Sequence, residues 1–153
     1  MRTWQQRFAS SCSAALLIGA GACGWMLADA PPSEPTLSAT GAWARAADSG
    51  ATTAVYFVLN NTDSIADTVR MVTSADAEET GLHISTQHSG MMHMTAISTL
   101  PVPAHDSVSF RPLGAHVMLT RLRRPLAVGD SVLVRVDFVS GDSLDILAHV
   151  RQP

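Results

Sequence analysis

The segment Ser131-Val-Leu-Val-Arg-Val-Asp-Phe-Val139 has the clearest structural pattern in the chain. Every second residue from Val132 to Phe138 is apolar, and polar residues occupy most of the positions between them. This period of two is that of a β-strand with one buried face. Residues 144–150 repeat the alternation after Gly141-Asp142, a pair that is typical of hairpin connections. Two adjacent strands are therefore predicted here.

Further segments rich in β-branched and aromatic residues precede this pair. Turn signals such as Pro101-Val102-Pro103 and Gly129-Asp130 separate them. No stretch of ten or more residues after the N-terminal region has a helical period. Many short strands at this spacing predict an all-β domain, built as a sandwich or a barrel. The predicted strands before residue 131 are Thr53–Leu59, Thr68–Thr73, Leu82–Gln87, Met92–Ile97, Ser107–Arg111 and Val117–Leu122.

The N-terminal region has the pattern of a secretory signal peptide. Arg2 and Arg7 precede an apolar, small-residue run over residues 14–22. The run is too short to span a bilayer comfortably. We therefore predict a signal peptide over residues 1–22 and export to the cell envelope or periplasm.

The end of this signal has two interpretations. Ala20-Gly21-Ala22-Cys23 resembles a lipoprotein signal, in which Cys23 would be lipidated and become the new N-terminus. The alternative is ordinary cleavage after Ala28-Asp29-Ala30, which Pro31 directly after the site disfavours. We favour the lipid anchor, and we interpret the Pro/Ser-rich residues 23–40 as an extended tether ahead of a domain of residues 41–151. A tail with no role is the alternative to the tether.

The composition restricts the function of this domain. Without residues 1–22 it keeps thirteen acidic residues against eight arginines, a formal charge of −5, and it has no lysine. A mildly acidic domain without a basic stripe argues against nucleic acid as a partner. The only cysteines, Cys12 and Cys23, lie at the signal segment, so the domain holds no thiol and no internal disulfide. No nucleophile–base arrangement or carboxylate pair stands out, and we predict that the protein is not an enzyme.

Two parts of the sequence contain residues able to bind a soft metal ion. In His116-Val117-Met118 the imidazole and the thioether project together, because residues i and i+2 of a strand point to the same face. Residues 81–94 contain three of the six His and three of the seven Met. These surround Ser89-Gly90, a turn signal, and a hairpin there would bring His83 and Met94 onto adjacent strands. Because methionine is often a flexible core filler, structural packing is the alternative.

The donor types indicate which ion such a site would hold. An envelope compartment is oxidising, and free thiols there are liable to oxidation. Thioethers need no deprotonation to bind a metal, and soft thioethers favour Cu(I). A His/Met site without Cys therefore predicts Cu(I). It also excludes a blue-copper electron carrier, whose trigonal site needs a Cys thiolate.

The spacing of these residues resembles a known signature. His83, ten residues, Met94, twenty-one residues, His116, one residue and Met118 is similar to the H-x10-M-x21-H-x-M motif of the periplasmic Cu(A) chaperone family, PCu(A)C or DUF461. The resemblance covers about residues 41–150, nearly the whole predicted domain. Its other landmarks are Gly41-Ala42-Trp43-Ala44-Arg45, Ala54-Val55-Tyr56, Leu59-Asn60-Asn61, Ala66-Asp67, Met118-Leu119, Arg124-Pro125-Leu126 and Gly129-Asp130.

This resemblance implies a cupredoxin-like Greek-key β-sandwich with a copper site at one exposed end. It implies delivery of copper toward the Cu(A) centre in subunit II of cytochrome c oxidase, or to another copper assembly factor. Some members carry a His/Met-rich C-terminal tail for Cu(II), which Arg151-Gln152-Pro153 does not match. Copper sequestration for tolerance and a non-metal adhesion or structural sandwich are the alternative functions. The Cu(I) ligands that the resemblance implies are His83, Met94, His116 and Met118.

Four further residues lie near the implied ligands in sequence. His88, Met91, Met92 and His93 are interpreted either as an auxiliary capture site or as solvated loop residues with one packed methionine. Met91 or Met92 would replace Met94 as a ligand if the hairpin register shifted by one or two residues.

Overall fold

The computed structural model describes residues 35–152 as ten β-strands, and no helix occurs within that range. The predicted signal peptide, Cys23 and the tether up to residue 34 lie outside the described residues. None of the described residues forms a helix long and apolar enough to cross a membrane. The strands are β1 Leu37–Arg45, β2 Thr53–Asn61, β3 Asp67–Thr73, β4 Ala77–His88, β5 Met91–Ile97, β6 Leu100–Val102, β7 Asp106–Phe110, β8 Ala115–Leu122, β9 Ser131–Phe138 and β10 Ser143–Arg151.

The strands follow one hydrogen-bonded order, β5-β4-β8-β7-β2-β1-β10-β9-β3-β6, with a further pairing of β8 with β2. Among the described strands, only β1 with β10 and β7 with β8 pair in parallel. The predicted strand pair is confirmed as an antiparallel hairpin of β9 and β10, with Val134 opposite Ile146. The sheet folds over on itself, so that strands from both ends of this order share one core.

Alternating side chains from the two halves of the sheet form a single hydrophobic core. On β9, the side chains of Val132, Val134, Val136 and Phe138 are fully buried, as their period of two predicts. They belong to the same buried cluster as Val117 of β8. Burying one such side chain is worth about 1.5–3 kcal/mol, which holds the two halves together. The prediction of an all-β sandwich is confirmed.

Two boundaries differ from those expected. The predicted turn at Pro101-Val102-Pro103 is wrong in part, because Leu100–Val102 forms the short strand β6. β6 pairs with β3 at an edge of the sheet, with Pro101 opposite Thr68. Proline is tolerated on an edge strand because the position of its missing N–H faces solvent. In addition, β1 begins at Leu37, so residues 37–40 of the predicted tether are part of the sheet.

A β-bulge in β1 places an aromatic pair on the outer face of the sheet. The register with β2 shifts by one residue between Thr40 and Trp43. Gly41 within the bulge has φ +63°, a left-handed conformation that favours glycine. Beyond the bulge Trp43 lies opposite Tyr56, and their ring centroids are 4.6 Å apart. Tyr56 is thereby held on the outer face next to β8.

Candidate metal centre

The four predicted ligands lie on three neighbouring strands of the sheet. His83 is on β4, Met94 is on the edge strand β5, and His116 and Met118 are on β8. Val117, between the last two, is buried in the core, so its neighbours project from the outer face. The fold therefore brings together on one face the residues that the spacing singles out.

The two imidazoles form the base of this cluster. His83 lies directly opposite His116 in the β4–β8 register, and their ring centroids are 6.0 Å apart with an interplanar angle of 22°. His116 is only 3% exposed, and its Nδ1 is 3.0 Å from the carbonyl oxygen of Gly114. Because a carbonyl can only accept, this Nδ1 donates its hydrogen, and Nε2 keeps a free lone pair. A hydrogen bond of this kind orients metal-binding imidazoles.

His83 contains an unsatisfied nitrogen. Its Nδ1 is buried and has no hydrogen-bond partner within the described part of the chain. A buried polar atom without a partner costs about 1–3 kcal/mol. Gly81, two residues earlier on the same face, leaves the adjacent space open, because a Cβ there would lie 3.7 Å from this nitrogen and 3.4 Å from Cε1. Nδ1 therefore has a bonding position that no described group of the protein fills.

The two methionines lie on the same face as the imidazoles but on different strands. Met118 lies opposite Gly81 across the β4–β8 ladder, on the side of His83 where the unsatisfied nitrogen lies. Met94 projects from the same face of the edge strand β5 and is 54% exposed. Met118 therefore lies on an interior strand of the sheet, and Met94 lies on an edge strand.

The hairpin predicted around Ser89-Gly90 joins β4 to β5 and is confirmed. Ser89 has φ +50° and Gly90 has φ +79°, and two left-handed residues in succession form a tight hairpin turn. The resulting register places Ala96, and not Met94, directly opposite His83. Met94 is a diagonal neighbour of His83 at about 7–8 Å, which is within reach of a long side chain.

A cavity of about 470 Å³ opens on this face of the sheet. Its walls include His116, Met118 and Met94, whereas His83 is not among the lining residues and joins the cluster through its contact with His116. Arg45 is the one charged side chain among the described residues that line the cavity. Its guanidinium lies 5.8 Å from the ring centroid of a neighbouring tyrosine. The described wall therefore offers no carboxylate to a metal ion.

The donor set around this cavity fits a soft metal ion. In residues 35–152 no group of three or more His, Cys, Asp or Glu side chains is placed to hold a metal. Hard cations such as Ca²⁺ and Mg²⁺ prefer oxygen ligands, and a structural zinc site takes four Cys or His ligands. Two imidazoles and two thioethers are instead a set that suits Cu(I).

Three residues support the cluster without having been predicted as site residues. Gly81 and Gly114 each precede an imidazole by two positions. Gly81 leaves space beside His83 because it has no side chain, and the carbonyl oxygen of Gly114 accepts a hydrogen bond from His116. Tyr56 closes one side, with its ring centroid 6.2 Å from that of His116. The shared Gly-x-His arrangement at 81–83 and 114–116 is the sequence signal that points to the two glycines.

The four neighbouring His and Met residues divide between the two faces of the hairpin. Met92 lies on the face of Met94, whereas the register puts His93, opposite Thr86, on the other face. Both Met92 and His93 are among the residues that line the cavity. His88 and Met91 lie opposite one another next to the turn, on the other face. All four are exposed, so the interpretation that one of them is a packed methionine is wrong.

Known proteins resemble this chain in sequence and in fold. The family model described as "Putative lipoprotein LpqE-like" matches residues 37–150. "Putative lipoprotein Lxx21020" from Leifsonia xyli subsp. xyli is 32% identical over 144 residues, which are 90% of this chain and 86% of that protein. The fold is similar to that of the copper-bound PCuAC domain from PmoF2, with a TM-score of 0.64 and 22% identity over 78% of this chain and 95% of that domain. It is also similar to CuI-DR1885 from Deinococcus radiodurans, with a TM-score of 0.57 and 28% identity over 74% and 78% of the two chains. The predicted cupredoxin-like β-sandwich is confirmed.

Proposed function

This chain belongs to the LpqE-like family and has the fold of PCu(A)C domains, and we propose that it is a copper chaperone that binds one Cu(I) ion at this metal centre. The ligands are His83, Met94, His116 and Met118. The observation that carries the proposal is the buried, unpaired Nδ1 of His83, beside a second imidazole whose Nδ1 is already hydrogen-bonded. Coordination of a metal ion removes the cost of leaving that nitrogen unsatisfied.

The donor set and one similar protein support the oxidation state of the bound copper. Thioethers are soft ligands that select Cu(I), whereas Cu(II) takes tetragonal sites of nitrogen and oxygen. The described residues that line the cavity include no carboxylate. DR1885, at 28% identity, has been solved in a form named CuI-DR1885.

The accessibility of the site supports a chaperone rather than a closed store. His116 is 3% exposed, whereas Met94 is 54% exposed at the margin of the sheet. An acceptor protein can displace the exposed thioether first, while the two imidazoles still hold the ion. Transfer then proceeds by exchange of one ligand at a time.

A competition titration with a Cu(I) chelator on the purified protein tests the site. We expect one tightly bound Cu(I) per chain, and loss of tight binding when all four ligands are replaced by alanine. The matched control, Met71→Ala with His149→Ala, removes an exposed thioether and an exposed imidazole from outside the cavity. It should leave the affinity unchanged. Unchanged affinity in the four-residue variant would sink the assignment.

For the recipient we propose the Cu(A) centre of cytochrome c oxidase, or an assembly factor that supplies it. Copper sequestration for tolerance is the alternative. Oxidase activity and Cu(A) content in a deletion strain under copper limitation distinguish the two. Low Cu(A) loading supports delivery, whereas normal loading with greater sensitivity to added copper indicates sequestration.

We also propose export and lipid anchoring at Cys23, because the matched family and the relative both carry the name of lipoproteins. Incorporation of labelled palmitate should be lost in Cys23→Ser. Cys12→Ser is the matched control, because Cys12 lies inside the predicted signal peptide and should not affect labelling. Label that persists in Cys23→Ser would contradict the anchor.

A further inference from the structure

We propose that the tip of the β4–β5 hairpin is a second Cu(I)-binding site, formed by His88, Met91 and His93, which captures the ion and passes it to the cavity. This proposal rests on the proposed copper function, because it concerns the route by which the ion reaches the cavity ligands. The tip lies next to the turn, and its donors belong to the face of the hairpin opposite to that of Met94.

The hairpin register places these three donors on one face. β4 and β5 pair without a bulge along the hairpin, with His88 directly opposite Met91 and Thr86 opposite His93. Directly opposed Cα atoms lie about 4.5–5.5 Å apart, and residues two apart on a strand point to the same side. The tight turn at Ser89-Gly90 fixes this register at its end. Two imidazoles and one thioether are therefore close enough to bind the same ion.

Packing does not explain the residues at this tip. Every residue from Thr86 to Ala96 is exposed, and Met91 exposes 61% of its surface. A methionine that fills gaps in a core is buried, and an exposed apolar side chain on an edge strand favours aggregation. Exposed imidazole and thioether groups are, in contrast, available to a soft ion without any rearrangement of the core.

His93 connects the tip to the cavity. Its register puts it on the face of Met91, and it is also among the residues that line the cavity together with Met92 and Met94. Because β5 is an edge strand, a side chain on it can reach round the margin from one face to the other. An ion held with His88 at the tip can therefore be passed to the cavity thioethers by replacement of one ligand at a time. The tip offers fewer and more exposed donors than the cavity, so transfer runs toward the cavity.

A titration with Ag(I) tests the order of binding, because Ag(I) is a soft ion of the same charge that is stable in air. The methionine methyl resonances are followed by NMR in protein labelled with carbon-13 at those methyl groups. We expect the first equivalent to shift Met94 and Met118 and the second to shift Met91. Met71, which is exposed on β3, is the internal control and should not move. A Met91 resonance that stays in place through two equivalents overturns the proposal.

Replacement of the tip donors separates this proposal from the proposed function. The variant His88→Ala/Met91→Ala changes only exposed side chains that lie outside the cavity lining. We expect it to keep the first equivalent of Cu(I), to lose the second, and to load the cavity more slowly from a Cu(I)–chelator complex. A variant that still binds two equivalents overturns the second site, and an unchanged loading rate overturns the capture role. Absence of the first equivalent from the unaltered protein would instead overturn the proposed function.

The matched control for this variant is Met71→Ala/His149→Ala, which removes exposed donors of the same types from other strands. It should keep both equivalents and the loading rate of the unaltered protein. Loss of the second equivalent in this control as well would show that the tip has no specific role, and would overturn the proposal.

Discussion

The two sides of the cavity are built in different ways. On β8, which is paired with strands on both sides, His116 is 3% exposed and its Nδ1 is fixed by the carbonyl of Gly114. On β5, which among the described strands pairs with β4 alone, Met94 is 54% exposed. The interior side is therefore preorganised by the sheet, whereas the margin is not.

Because of this difference, we expect one side of the cavity to hold the ion and the other side to exchange it. A buried imidazole with a fixed ring has little conformational freedom left to lose when a metal binds. An exposed methionine must be ordered, and immobilising such a side chain costs about 1.5–2 kcal/mol. Ligands on β8 and β4 should therefore contribute most of the affinity, and ligands on β5 should control the rate of exchange.

Removal of the interior imidazole should have the largest effect. His116→Ala takes away one ligand and the neighbour of the His83 ring, so we expect Cu(I) affinity to fall by at least about 100-fold, or about 2.8 kcal/mol. Chelator competition measures the fall, and circular dichroism of the metal-free variant checks the fold. His149→Ala removes an exposed imidazole on β10 and serves as the control. A fall in Cu(I) affinity of less than about tenfold would contradict the expectation that ligands on β8 and β4 contribute most of the affinity.

Obstruction of the space beside the unsatisfied nitrogen should have the next largest effect. In Gly81→Leu the new side chain would cover Nδ1 of His83 from the side of the cluster. We expect Cu(I) affinity to fall by about 10–100-fold, the range for changes just outside the metal ligands. Gly81→Ala is the matched control, because its Cβ would make only an ordinary contact at 3.4 Å. Equal affinities in the two variants would show that Nδ1 is not a ligand.

Removal of the Met94 thioether should reduce Cu(I) affinity less than removal of the His116 imidazole, and it should accelerate exchange of the ion more. We expect Met94→Ala to bind Cu(I) about tenfold more weakly, because Met92 lies on the same face two residues away and can partly replace it. Stopped-flow transfer to a chelator should be faster in this variant than in the unaltered protein. The double variant Met92→Ala/Met94→Ala should lose more affinity than the single one. An affinity loss in Met94→Ala as large as that in His116→Ala would show that the ligands on β5 contribute as much affinity as those on β8.

Periodicity was sufficient to predict the strands that carry the interior side of the site. The alternation on β9 appears in the structure as a fully buried face from Val132 to Phe138. The i, i+2 relation of His116 and Met118 on β8 likewise follows from the backbone of any strand. The residue pair Ser89-Gly90 predicted the hairpin, because few residue pairs adopt two left-handed conformations in succession.

Pairings between strands distant in sequence could not be predicted in this way. His83 has His116 as its direct neighbour because β4 pairs with β8, and no local pattern encodes that pairing. The diagonal position of Met94 depends on the exact hairpin register, which the turn residues alone leave open by a residue or two. The turn predicted at Pro101 is wrong in part for a related reason, since only the tertiary context shows that this residue lies on an edge strand opposite Thr68.

The outer face of β9 and β10 provides a contrast with the face of the metal centre. There Arg135 donates hydrogen bonds to Asp145 from Nε and Nη2, at 2.7 and 2.8 Å, so these polar groups are satisfied within the protein. The hydrogen bonds from Arg135 hold the pKa of Asp145 below its ordinary value of 3.8. Both side chains are about half exposed, so solvent screens the pair and limits its contribution to stability.

Arg135→Gln should therefore have the smallest effect and should leave the Cu(I) affinity unchanged. Because the folded-state pKa of Asp145 is lowered, the pair stabilises the protein above the unfolded-state pKa and stops doing so as the pH falls through the folded-state value. We expect a slightly lower urea midpoint for the variant at about pH 6, and a difference that shrinks toward about pH 3. A difference that grows on acidification would contradict the ion pair. Altered Cu(I) affinity would mean that the outer face of β9 and β10 influences the metal centre, although the ion pair lies outside the residues that line the cavity.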